Sequence, residues 1–125
     1  MRKFSLVGAA AVLALVAQPA LAHHSFAMYD QQHEVPLTGT VTEFQWTNPH
    51  SWIEMDVADP TGKVVHWSLE TGSIHTLTNI GWKSKYVHVG DKVTVSVNPM
   101  KDGSHGGAIQ SIVFADGHKI VGGGR

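Results

Sequence analysis

From residue 35 onward the apolar positions fall mostly at every second residue, the spacing of half-buried β-strands. Leu37, Gly39 and Val41 alternate, and then the phase slips before Phe44 and Trp46. A slip beside a glycine predicts a bulged, strongly curved first strand. From Trp52 to Val57, residues Ile53, Met55 and Val57 share one face, and Trp52, Glu54 and Asp56 share the other. A third strand follows the Asp59-Pro60-Thr61-Gly62 turn, with Val65, Trp67 and Leu69 inward and His66, Ser68 and Glu70 outward. Matching the apolar faces sets the register: Met55 opposite Trp67, Asp56 opposite His66, and Trp52 opposite Glu70.

The period then changes. Ser73 is placed to cap a short helix whose apolar residues Ile74, Leu77 and Ile80 stand at helical spacing, with Gly81 as its stop. Gly90-Asp91 turns into a fourth strand carrying Val93, Val95 and Val97. A glycine-rich loop, Asp102 to Gly107, leads to a fifth, Ile109 to Phe114. Three strands, a helix and two strands make a mainly β protein: a small five-stranded OB-like barrel with one short helix between strands three and four. An open sandwich is the alternative. The expected domain is 35–116, preceded by a polar, irregular arm at 23–34 and followed by a flexible, glycine-rich tail at 117–125.

The first 22 residues read differently. Met1-Arg2-Lys3 is a basic leader, Phe4 to Ala17 a largely apolar run, and Gln18-Pro19-Ala20-Leu21-Ala22 a helix break with a small-residue cleavage site. The run is short for a membrane span, which needs about 20 apolar residues. A retained amino-terminal anchor is the competing reading. Cleavage after Ala22 predicts an exported chain, in a bacterial periplasm or secreted, with no membrane attachment. It would remove Arg2 and Lys3 from nine basic residues, leaving seven against ten acidic ones, a formal charge of −3. That balance argues against nucleic acid, which calls for a basic patch.

There is no cysteine. Metal chemistry would draw on imidazole, carboxylate, thioether or an amino terminus, a donor set suited to copper(II) or zinc. Here the cleavage site gains weight, because the mature chain would begin His23-His24. A terminal histidine offers its α-amine and ring Nδ1 together in one chelate ring. The expected metal ligands are therefore His23, His24 and His50, the last in the Asn48-Pro49-His50 turn, with His105 and Glu70 as extras. Both loops concerned, the first between strands one and two and the second between strands four and five, commonly form the ligand site of OB barrels. A competing set has no metal: Trp52, Asn48, Asp102 and His66 would contact a small ligand or a periplasmic protein partner. Asp56 opposite His66 is expected to be an ordinary cross-strand pair. No H-E-x-x-H, G-x-S-x-G or phosphate-loop pattern occurs, which turns the expectation away from an enzyme.

His23-His24-Ser25-Phe26, Trp46-Thr47-Asn48-Pro49-His50, Gly90-Asp91-Lys92-Val93 and Asn98-Pro99-Met100-Lys101-Asp102-Gly103 together resemble a family of small exported bacterial proteins of unknown function. The resemblance spans nearly the whole mature chain and implies export and a compact β-rich domain, with no activity attached. Lys101 stands where that family usually has arginine, and His105 where proline is common. Lysine lacks the bidentate fork of arginine, which weakens any anion-binding role for this loop. The function expected is a metal carrier or buffer, copper before zinc; the alternative is an accessory binding module.

Overall fold

The computed structural model describes residues 26–123. Six strands and one helix follow in order: β1 (Val35–Gln45), β2 (Trp52–Ala58), β3 (Val64–Glu70), α1 (Ile74–Asn79), β4 (Lys92–Pro99), β5 (Gly106–Phe114) and β6 (Lys119–Val121). β1 pairs antiparallel with both β2 and β4, β4 pairs with β5, and a parallel pairing of Ser68–Glu70 with Gly106–Ala108 joins β3 to β5. Those contacts close a five-stranded barrel in OB-like order, with α1 between β3 and β4.

The predicted register holds residue for residue: Met55 pairs with Trp67, Asp56 with His66, and Trp52 with Glu70. The slip in β1 is a register shift between Val41 and Glu43. A Cβ at Gly39 would lie 2.1 Å from the Asp56 carbonyl oxygen, so glycine lets β1 cross tightly over β2. Upstream of that crossing β1 stays with β4, and downstream it runs with β2.

Ile53, Met55, Leu69, Val95, Val97, Ile109 and Ile112 are fully buried inside the barrel. Each is worth roughly 1.5–3 kcal/mol against solvent exposure. The helix is capped as expected, with the Ser73 side chain accepting from Thr76 N. Only Leu77 of its apolar residues is buried; Ile80 is exposed.

The tail departs from expectation. Residues 119–121 add β6 to the edge of β5, Gly122 N donates to the Gln110 carbonyl, and Gly123 N donates to Thr71 Oγ1. A Cβ at Gly122 would sit 2.1 Å from the Ile109 carbonyl oxygen, so this glycine serves close approach rather than looseness. Trp82, buried beside the helix, fixes the segment by donating its indole N–H to the Val121 carbonyl at 2.7 Å. Among the described residues, no helix is long and apolar enough to cross a membrane.

Candidate functional site

The arm is also part of the fold over its described length. Tyr29 bridges to Met100, Asp30 N donates to the Pro99 carbonyl, Lys101 N donates to the Met28 carbonyl, and Asn98 Nδ2 donates to the His33 carbonyl. These bonds lay residues 28–33 across the end of β4. The Tyr29 side chain is thereby buried, and its hydroxyl donates to Oε2 of Glu70. Glu70 points to the outer face of β3, as its place in the alternation requires, yet it is only 4% exposed because the arm covers it. A strand pattern reports which face a side chain takes, not whether a distant segment covers that face.

Glu70 has a second neighbour. The β1–β2 loop folds onto the end of β3: Ser51 N donates to the Gly72 carbonyl, Thr71 N donates to the Ser51 carbonyl, and Asn48 Oδ1 accepts from Ile74 N at 3.0 Å. Asn48, expected from the sequence as a ligand contact, ties this loop to the start of α1. Its bond to Pro49 is cis. The docking puts Nδ1 of His50 against Oε1 of Glu70. That nitrogen is buried and lies in contact with the carboxylate oxygen, without a well-directed hydrogen bond to it. The His50 side chain as a whole is 24% exposed, which leaves its exposure to the other ring atoms. Nε2 makes no hydrogen bond to a described residue. Phe26 closes the group, its ring centroid 5.5 Å from that of His50 and 6.1 Å from that of Tyr29.

A carboxylate thus lies almost wholly buried between a phenol and an imidazole. Burial is the largest cause that pushes the Tyr29 hydroxyl well above its ordinary titration range, and the bond to Glu70 and its charge add to it. Tyr29 therefore stays protonated and remains a donor. Sequence reading missed Tyr29 altogether, since a single tyrosine in a polar arm carries no periodic signal.

The remaining candidates are dispersed. His66 bridges two carboxylates on the outer face, with Nδ1 at 3.0 Å from Asp56 and Nε2 at 2.8 Å from Glu54, while Ser68 Oγ donates to the other Glu54 oxygen. The Asp56 bond, then the Glu54 bond, raise the His66 pKa above its usual value. Trp52 is half-buried at the end of β2, opposite Glu70. Asp102 turns inward on its own loop, accepting from the N–H and hydroxyl of Ser104. His105 packs on Trp67, ring centroids 5.2 Å apart, on the inward face of β3 opposite to that of Glu70. The two rings floor a hollow of about 350 Å³ in the notch where β1 diverges from β2, walled by Leu37, Val57, Pro60 and Val65. The structure brings His50 and Glu70 together and leaves His105 apart. His23 and His24 lie outside the described residues, as does the cleavage site. Among the described residues, no group of three or more histidine or carboxylate side chains is placed to hold a metal ion.

The class is thus a closed OB-like barrel whose amino-terminal arm seals a buried Tyr29–Glu70–His50 group. The chain belongs to a family of unknown function, DUF6152, whose model matches residues 10–110. No curated protein matches it. Among solved structures, a mitochondrial single-stranded DNA binding protein from S. cerevisiae, Rim1, is similar at 14% identity and a TM-score of 0.48, covering 69% of this chain and 97% of that one. A likeness at that level carries no argument about ligands.

Proposed function

We propose that this chain is an exported metal-binding module, for copper before zinc, that carries or buffers its ion rather than transforming a substrate. Cleavage after Ala22 would free His23, whose α-amine and ring nitrogen supply two donors. His50 would supply a third donor and His24 a further one. The observation that carries the reading is the packing of Phe26 on His50. His23 precedes Phe26 by three residues, and three residues of chain reach at most about 10 Å. A terminus anchored at Phe26 is therefore within range of His50.

The donor set fits the ion: amine and imidazole nitrogens suit copper(II) and zinc. Since the described residues hold no three-ligand group of their own, such a site depends on residues 23 and 24. His105 drops out of the proposed set, because it packs on Trp67 on the opposite face. The test is a copper(II) titration, followed by calorimetry and electron paramagnetic resonance. A chain beginning at His23 is compared with one carrying a single extra alanine in front. Tight one-to-one binding should be lost on adding the alanine and weakened by His50→Ala. Weak, multi-site binding in both forms overturns the reading.

The notch lined by Trp67 and His105 supports a second reading, a metal-independent module for a small apolar ligand or a protein partner. Its volume is at the lower end of small-molecule sites, about 300–1,000 Å³. On this reading, a chelator changes neither melting temperature nor recovery of a partner from periplasmic extract, and Trp67→Ala abolishes the latter.

A further inference from the structure

Glu70 is placed to do something other than bind an ion. Both of its oxygens are engaged, Oε2 by the Tyr29 hydroxyl and Oε1 by Nδ1 of His50, and the side chain is almost wholly buried. A carboxylate held against one imidazole nitrogen fixes which nitrogen carries the proton and which way the ring faces. Imidazoles that bind metals commonly donate their other N–H to such a group, which also makes the ligating nitrogen more basic. The arrangement here has that order: Tyr29 orients Glu70, Glu70 faces Nδ1, and Nε2 has no partner among the described residues.

From this geometry we infer that Glu70 is the positioning residue for His50, holding the ring as the Nδ1–H tautomer with Nε2 presented as a ligand, and that Tyr29 fixes Glu70 in that role. The ligand half of the inference rests on the metal-binding reading above; the tautomer half does not. It also ties ligand geometry to the arm, because the group that orients Glu70 is carried by the segment leading back to His23. One buried carboxylate therefore connects the docking of the arm to the direction in which His50 points.

Two measurements on the processed chain decide it. Long-range proton–nitrogen correlation spectra of the metal-free protein above neutral pH should show His50 protonated at Nδ1, with Nε2 bare. A dominant Nε2–H tautomer overturns the inference. Copper(II) and zinc affinities are then compared for the wild-type chain, Glu70→Gln and Tyr29→Phe, with melting curves confirming that each variant is folded. Losing the group that orients a metal-binding imidazole costs roughly 10–100-fold in metal affinity. We expect a loss in that range for Glu70→Gln and a smaller one for Tyr29→Phe, with an altered copper resonance spectrum in both. Equal affinities and superimposable spectra overturn the positioning role even where the wild type binds tightly. A wild type that binds neither metal removes the ligand role and the metal-binding reading together, while the tautomer spectrum still decides whether Glu70 sets the ring.

Discussion

Two histidine–carboxylate groups lie on the same outer face of β3, four residues apart, and they differ in almost every physical respect. His66, between Asp56 and Glu54, is 56% exposed in its side chain; Glu70, between Tyr29 and His50, is 5% exposed. The first group uses residues paired across adjacent strands, so local geometry suffices to make it. The second needs three separate segments: the arm, the β1–β2 loop and the end of β3. Water screens the charges of the first, and such exposed pairs are worth about 0–1 kcal/mol. In the second, taking a carboxylate out of water is costly unless its partners compensate, so each partner becomes indispensable to the others. The same residue types thus form a surface ornament in one place and a mutually dependent group in the other, and burial is the variable that separates them.

That contrast breaks most readily at Glu70 itself. Glu70→Ala leaves the Tyr29 hydroxyl buried without its acceptor and His50 Nδ1 buried without the carboxylate beside it. We expect a loss of about 2–6 kcal/mol in urea unfolding at pH 7, about 1–3 kcal/mol for each buried polar group left without its partner. A loss under about 1 kcal/mol would put the two groups on the same footing. Tyr29→Phe keeps the packing but removes the donor to a buried carboxylate. Its expected cost is about 2 kcal/mol, insensitive to added salt, together with faster amide exchange across residues 28–33. A strongly salt-dependent change would instead mean that water reaches the site.

The smallest effect is reserved for His66→Gln, and its sign follows from linkage. Because Asp56 and Glu54 raise the folded pKa of His66, protonated His66 stabilises the fold. The contribution is fully present below the unfolded value, near 6.5, and is lost as pH rises through the higher folded value. The wild type should therefore exceed His66→Gln by under about 1 kcal/mol near pH 6, with the margin vanishing at alkaline pH and shrinking in salt. A margin that grows with pH would reverse the assigned cause.

Much of the scaffold was legible because strands write themselves locally. Alternation placed Met55 opposite Trp67 and Asp56 opposite His66, and Ser73 with Leu77 and Gly81 marked the helix. The candidate site was legible only in pieces. His50 and Glu70 stood out as residue types at loop and strand ends, but nothing linked them. Tyr29 went unnoticed, being 41 positions from its partner. His105 looked like a neighbour of His50 because both sit on loops, whereas the phase of β3 and its pairing to β5 turn it onto Trp67. The glycine-rich tail looked loose for a related reason: glycine is needed both where chains are free and where backbones touch, and composition does not tell the two apart.

What the sequence determined by itself is the order of the elements, the register of the β2–β3 hairpin, the bulge in β1 and the side of each strand that faces the core. All of these follow from spacing over a few residues, where geometry leaves little choice. What only the tertiary structure decided is which outward residues are covered. The arm closes over Glu70, the first loop delivers His50 to it, and β6 with Trp82 holds the tail against β5. Those outcomes depend on contacts between segments far apart in the chain, and burial, which sets the strength of every charge and hydrogen bond at the site, is a property of the assembled molecule.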